Sequence, residues 1–346
     1  MATSSKSYLQ ILGEIKDNCL NKNNEFNKIV FEKPLGFNLE SASLIEKKCS
    51  EIFNKNNIYI MDHYLGKEVI QNILLLKFTN AFFESTLNNK FVDSIDLTID
   101  EDLGVANRID YYNEIGAIKD IIQNHLLQTV ALVLMDNPVK FDPTSIHNEK
   151  LKVLKSLEVL PSNFHLFGQY ESYRKESRNY GIENSRTDTY ARLVVNCKNS
   201  RWDGVRITMK TGKKLERKYA SININYKLPE IEHKIEGITN NKIIIQLQPK
   251  EFVKININRK GIGKDNFVNN HIYNLFHESD ITPNPSDGHK KILGDIILGN
   301  GLFTPTFEEI RESWRIIEET EKMRDKIKFV TYKDYSNPEL TNNENT

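Results

Sequence analysis

The sequence carries no surplus of either charge, few cysteines and no long apolar run, and each shortage removes a class of function. Lys and Arg number 47 and so do Asp and Glu, so the 346 residues have a formal net charge of zero. A chain that holds nucleic acid or a membrane surface through its overall field needs a basic excess, and none is present. Three cysteines occur, Cys19, Cys49 and Cys197. Their odd number and wide spacing give no disulfide framework and no metal site, and fit reduced thiols in a cytoplasmic protein. A membrane span takes roughly 18 apolar residues, whereas the best candidate, Thr129 to Met135, is far shorter. No secretory apolar region is visible either, because Met1 to Lys6 is polar and Glu14 and Lys16 break the apolar residues that follow.

A glycine-rich turn is also missing. Dinucleotide-binding folds open with a strand, a turn of small residues and a helix, so that backbone N–H groups approach the pyrophosphate closely. No such element precedes Lys33, and the G-x-G at Gly261-Ile262-Gly263 lacks a third glycine and a following apolar helix.

The pattern that is present divides in two. Tyr8 to Cys19 has helical apolar spacing, Lys28 to Phe31 reads as a short strand, Leu44 to Phe53 as an amphipathic helix and Ile58 to Met61 as a second strand. That order matches the last part of a doubly wound domain, with Ile29 and Phe31 expected at an open sheet edge. Val69 to Ala81 and Asn113 to Met135 are expected to be helices, and Phe91 to Ile99 a strand. From Phe164 strands dominate: 164–170, 190–196, 204–210, 219–226, 242–248 and 252–257. Successive strands without long helices between them imply a mostly antiparallel sheet. Helices are expected again over 290–298 and 307–322, and the Asn-, Glu- and Thr-rich end is expected to be disordered.

Two segments carry chemistry. Asp62-His63-Tyr64-Leu65-Gly66-Lys67 places two cationic or donor side chains and a phenol within one turn of chain, the equipment for a phosphate monoester. Asp120-Ile121-Ile122-Gln123-Asn124-His125 supplies a histidine, the side chain suited to removing a hydroxyl proton near pH 7, and Asp62 is the carboxylate that would orient it. On helical spacing alone His125 shares a face with Ile118, Ile121, Ile122 and Thr129, which also suits an ordinary core histidine. The 63–67 segment read alone could equally be a polar loop.

At these residues the chain resembles the glucose-6-phosphate dehydrogenase family. The resemblance rests on Phe31 to Gly36 (E-K-P-x-G), Ile58 to Asn72, Glu101 to Gly104, Asp120 to Gln128, Glu149 to Leu154, Gly168 to Tyr170, Arg201 to Val205, Thr211 to Lys213, Gln248-Pro249 and Ser313 to Ile317. It runs from about Ser7 to about Ile317. The family oxidises C1 of glucose 6-phosphate with a nicotinamide coenzyme. The resemblance implies an α+β fold: a large, mostly antiparallel sheet flanked by helices (62–332), preceded by a remnant of a doubly wound coenzyme domain (1–61), with a disordered tail (333–346). It implies His125 as proton acceptor with Asp62. Substrate ligands would be Lys33, His63, Tyr64, Lys67, Glu101, Asp120, Lys213, Arg217 and Gln248, with Lys33 also near the coenzyme. NADP is the expected coenzyme, its site incomplete here. The expected partners are glucose 6-phosphate and either a second copy or a chain supplying the nucleotide-binding domain, without nucleic acid or membrane. A truncated, non-catalytic sugar-phosphate-binding or regulatory subunit is the alternative. The sequence departs from the family at Ile60 (usually Arg), Asn107 (Gly), Asn113 (Asp) and 288–295, where A-Y-E-R-L-L-L-D is replaced by GHKKILGD.

Overall fold

The structure, a computed structural model, describes residues 1–3, 5–18, 27–231, 235–261, 267–275 and 287–340. Its strands are β1 (Ile29–Phe31), β2 (Ile58–Ile60), β3 (Val92–Asp100), β4 (Leu157–Val159), β5 (Leu166–Tyr170), β6 (Tyr190–Cys197), β7 (Arg206–Gly212), β8 (Tyr219–Tyr226), β9 (Lys242–Gln248), β10 (Phe252–Lys260), β11 (Val268–Asn274) and β12 (Lys328–Tyr332). Its helices are α1 (Tyr8–Asn18), α2 (Leu39–Ile52), α3 (Glu68–Thr79), α4 (Ala81–Thr86), α5 (Ile109–Ala117), α6 (Leu127–Leu134), α7 (Pro143–Ser156), α8 (Tyr173–Arg178), α9 (Asp287–Ile297) and α10 (Phe307–Glu321), with a π-helical stretch, Ile118–Leu126, between α5 and α6.

Two sheets result. β1 and β2 pair in parallel, and the larger sheet runs β11-β10-β9-β8-β3-β7-β6-β5-β12, with β4 added on β6. The α+β class therefore holds. The large sheet is mostly antiparallel, but β3 pairs with β7 in parallel, as do β5 and β12. At β3 the reason is that the consecutive strands β7 and β8 run in opposite directions and flank it, so one of the two must be parallel to it.

Local sequence explains the better-defined helices. Asn38 and Ser41 form a reciprocal capping box at α2, whose residues Ile45, Cys49 and Ile52 are buried one helical turn apart. Asp142 caps α7 ahead of Pro143, and Thr306 caps α10 with Glu308 and Glu309 in its first turn. Inside, the Trp314 indole donates to the Leu35 carbonyl at 3.0 Å, which fastens the Pro34–Gly36 turn to α10. Trp202 likewise donates to Leu134. Cys49 and Cys197 are buried free thiols, pushed up to about 12 by burial, while Cys19 lies outside the described residues.

Four expectations need correction. The helix expected over 113–135 is broken: Gly116 adopts a left-handed φ of +67° and a π-helical stretch follows. A lone glycine in an apolar run reads as helix, and only tertiary structure shows that the Asp188 carboxylate fills the space a Cβ would take. The tail is not disordered over 333–340. There the Asp334 carboxylate accepts from Ser172 and Lys214, and Glu339 from Tyr190, Arg192 and Lys210; residues 341–346 lie outside the described ones. The expected open edge at β1 is covered, since the Met1 amine donates to the Val30 carbonyl, Glu32 N–H donates to the Met1 carbonyl at 3.2 Å, and Ile29 and Phe31 are buried. Strands β4, β11 and β12 and helices α4, α7 and α8 were not anticipated. The G-x-G segment lies partly outside the described residues, and the Gly261 N–H donates to the Phe267 carbonyl at 2.8 Å.

Candidate active site

Every expected site residue but Arg217 follows the end of a strand or lies on the π-helical stretch. Lys33 follows β1, Asp62 follows β2, Glu101 follows β3 and Lys213 follows β7, while Gln248 ends β9. In parallel pairs, carboxyl ends lie on one side, the side where open α/β sheets bind ligands. The β1–β2 register thus brings Lys33 near Asp62, and the β3–β7 register, with Asp100 opposite Gly212, sets Glu101 beside Lys213.

The π winding matters to the geometry. In an α-helix at 3.6 residues per turn, Asp120 and His125 would lie about 140° apart around the axis. In a π-helix residues five apart are bonded neighbours, so both side chains share one face, an arrangement often found at functional sites. His125 is fully buried, with Nδ1 2.5 Å from Asp62 Oδ1, and its Nε2 has no partner. Asp62 is buried as well, and its Oδ1 also accepts the Tyr64 N–H at 2.9 Å. The Tyr64 and His63 rings close around the imidazole, with centroids at 4.3 and 4.7 Å.

Electrostatics fit a neutral base held by an anion. Burial lowers the pKa of His125, opposed by the Asp62 carboxylate. Burial works against ionising Asp62, but His125 outweighs it and holds the carboxyl well below its usual range. Nδ1–H then donates to Asp62, leaving the Nε2 lone pair free to accept a proton. His63 is held down to about 3, by burial first and by His125 next. Burial raises the Tyr64 phenol well above the ordinary value.

Beside this dyad lies a ring of alternating charge. Lys33 Nζ donates to the Asp120 carbonyl at 3.0 Å and stands 3.7 Å from its carboxylate. Lys213 Nζ pairs with Glu101 at 2.5 Å and with Asp120 at 3.3 Å, over the face of Tyr112. Burial disfavours ionised Asp120, yet Lys33 and Lys213 outweigh it and lower its pKa. Lys67 is occupied separately, by Glu251 at 3.2 Å and the Leu247 carbonyl at 3.5 Å, which places it next to half-buried Gln248.

Arg217 does not join the group. It is exposed, and its guanidinium lies 4.7 Å over the Tyr219 ring, because the turn after Lys213 carries it outward. Lys213 sits with the acids rather than with Lys67. Three residues were missed. Glu251 has no signal beyond being an acid after Pro249. His289 stacks on His63 at 4.8 Å and 9°, with Nε2 3.9 Å from Glu32; the departure from the family at 288–295 was the available clue. Asp188, buried behind the π-helical stretch, had none. Donor atoms of Asp62, His63 and His125 lie within 4.8 Å of one another and could hold a metal ion. Use of His125 Nδ1 by a metal would break the 2.5 Å hydrogen bond, so the group reads as a base and its orienter.

Residues 74–343 match the profile of the glucose-6-phosphate dehydrogenase C-terminal domain, and residues 1–72 that of the same family's NAD binding domain. The chain belongs to the glucose-6-phosphate dehydrogenase family. The join between the two matches falls near 73, later than the expected 61. Among relatives, glucose-6-phosphate 1-dehydrogenase of Borreliella burgdorferi is 35% identical over 92% of this chain and 70% of its own length. The enzyme of Cyberlindnera jadinii is 34% identical over 92% of this chain and 66% of its own. A cytoplasmic form from Arabidopsis thaliana is 33% identical over 96% of this chain and 65% of its own. The chain thus spans about two thirds of the length of these relatives. A solved glucose-6-phosphate dehydrogenase in complex with its substrate glucose-6-phosphate superposes with a TM-score of 0.88 at 28% identity, covering 99% of this chain and 72% of that one. No helix among the described residues is long and apolar enough to cross a membrane.

Of the family's coenzyme side, the described residues include the β1–β2 pair with α1 and α2, and Lys33 at its carboxyl end. Among them no glycine-rich turn opens onto a helix N-terminus.

Proposed function

We propose that this family member binds glucose 6-phosphate and that His125 accepts the C1 hydroxyl proton as the sugar is oxidised to 6-phosphogluconolactone. The observation that carries this reading is the buried Asp62–His125 pair: its Nε2 has no partner, the His63 and Tyr64 rings pack on the imidazole, and the charges of Lys33 and Asp120 act on it. Lys67, His63 and Tyr64 take the phosphate, joined by Lys213, which a bound sugar would share between phosphate and acids. Glu101 and Asp120 accept from sugar hydroxyls, and Gln248 lines the end near Lys67. Asp62 fixes the imidazole tautomer and stabilises the imidazolium once the proton has moved. Held this way, C1 needs no further ordering before it reacts.

Oxidation also requires a two-electron acceptor, and NADP is the one the family resemblance implies. Because no pyrophosphate cradle occurs among the described residues, the second reading is a sugar-phosphate-binding chain that depends on a partner for turnover. Calorimetry with glucose 6-phosphate alone, set beside reduction of NADP, separates the two: binding without turnover favours the second. Within the site, His125→Asn is expected to abolish turnover, or in the second reading to leave binding intact, with sugar affinity within about threefold of the parent. Lys67→Ala is expected to weaken binding at least tenfold, about 1.4 kcal/mol. Equal losses of affinity in both variants would refute the roles.

A further inference from the structure

Asp188 touches none of the groups assigned to the sugar, yet it meets the helical stretch that carries Asp120 and His125 and adjoins Thr189, which holds Lys213. It is 1% exposed. Its Oδ2 accepts the Ile118 N–H at 2.9 Å and its carbonyl accepts the Ala117 N–H at 2.8 Å, so the first two amides of the helical run leading to Asp120 and His125 both end on this one residue. Its Oδ1 takes the Arg324 guanidinium at 2.7 Å. The fit is close: an added Cβ on Gly116 would lie 2.7 Å from Asp188 Oδ1, and the left-handed turn at Gly116 lets the chain pass over the carboxylate. The next residue, Thr189, accepts the Lys213 N–H on its carbonyl at 2.8 Å, and Tyr332 bridges from the Thr189 hydroxyl to the Lys213 carbonyl.

We propose that Asp188, clamped by Arg324, is a positioning residue that sets the π-helical register and thereby holds His125 and Asp120 opposite Lys213. The proposal rests on the sugar-phosphate reading of the site. A helix start normally leaves its first amides to solvent or to a cap. Here the cap is an anion held by Arg324, in the turn that follows α10, and by its own place just before β6, so the start cannot slide along the axis. A return to α-helical winding would turn Asp120 and His125 away from each other, because only the π register puts residues five apart on one face.

Hydrogen exchange and calorimetry on the full chain test this. In Asp188→Ala, amides 117–125 are expected to exchange at least tenfold faster while the large sheet is unchanged, and the Kd for glucose 6-phosphate is expected to rise tenfold or more at a temperature where the variant is folded. Asp188→Asn keeps an acceptor for Ile118 and is expected to restore Kd to within about threefold. If Asp188→Ala does not fold, Arg324→Gln takes its place, with a threefold rise in Kd and the same local exchange expected. Unchanged Kd and exchange in the folded variant, or exchange that rises uniformly over the chain, overturns the proposal in favour of a purely stabilising ion pair. Should the parent bind no sugar, the functional reading fails, and local against uniform exchange still decides the role of Asp188.

Discussion

At the scale of single residues, the site is arranged so that its cations already have partners. Lys67 is held by Glu251 at 3.2 Å, with side chains only 15% and 11% exposed. A phosphate must displace that carboxylate before Lys67 can bind it, and a competing internal anion lowers apparent affinity. Glu251→Gln keeps the shape and removes the charge, so affinity for glucose 6-phosphate is expected to rise three- to tenfold by calorimetry; unchanged or weaker binding would show that Glu251 does not compete. His63 leads to a pH effect. Its folded pKa, about 3, lies below the value of about 6.5 expected in an unfolded chain. Between those values the unfolded state binds the extra proton, so this contribution to stability is fully present above about 6.5 and is lost as pH falls toward 3. Urea midpoints measured from pH 8 down to 5 are expected to fall less steeply for His63→Gln than for the parent.

At the scale of elements, backbone contact decides how the 63–67 loop is held. An added Cβ on Gly66 would collide with the Gly288 carbonyl oxygen, and one on Gly288 would lie 2.6 Å from the His63 carbonyl oxygen, so α9 packs main chain to main chain on the 63–66 turn. Gly66→Ala must therefore push the loop and α9 apart. Overpacking of this kind costs about 1–3 kcal/mol. A weaker affinity for sugar phosphate than the fall in melting temperature alone would produce is expected, whereas an unchanged Kd would show that the loop adjusts freely. How much of this was legible from the sequence differs by element. β8 and β9 were delimited correctly because their apolar residues alternate, and α2 was recognised because its apolar residues recur at helical intervals, though its first turn from Leu39, set by the Asn38 cap, was missed. The π-helical stretch was not legible, since Ile118, Ile121 and Ile122 suit an α-helix equally well and the pivot is Asp188, far away in sequence. The strand β12 was missed because Lys328 to Tyr332 follows α10 closely and pairs with β5, more than 150 residues earlier in the chain. The 63–67 and 120–125 segments stood out because each concentrates polar chemistry in a few residues, while Glu251 and His289 matter only through contacts the linear sequence does not show.

At the scale of the whole molecule, the segment 333–340 closes over β6 and β7 and links the end of the described chain to the sheet that delivers Lys213. Glu339 receives hydrogen bonds from Tyr190, Arg192 and Lys210, and Asp100, one residue before Glu101, lies among the same charges. Burial pushes the Asp100 carboxyl up to about 7; Lys210 and Arg217 oppose that rise, and Glu339 adds to it. A carboxyl whose folded pKa exceeds its unfolded value binds the extra proton in the folded state. Its contribution to stability is fully present below about 4 and lost as pH rises to 7. That slope is opposite in sign to the one from His63, so the parent's own pH profile blends the two and difference measurements are needed to separate them. Glu339→Gln removes the carboxylate's repulsion and frees Lys210 to face Asp100, which should bring the Asp100 pKa down. The variant is expected to be less stable at pH 8 by about 1.5–3 kcal/mol, the range for hydrogen bonds to charged groups, and to lose less stability than the parent between pH 4 and 7. Denaturant midpoints for both proteins at pH 4, 5.5, 7 and 8 check this, and parallel profiles would show that Glu339 and Asp100 titrate independently.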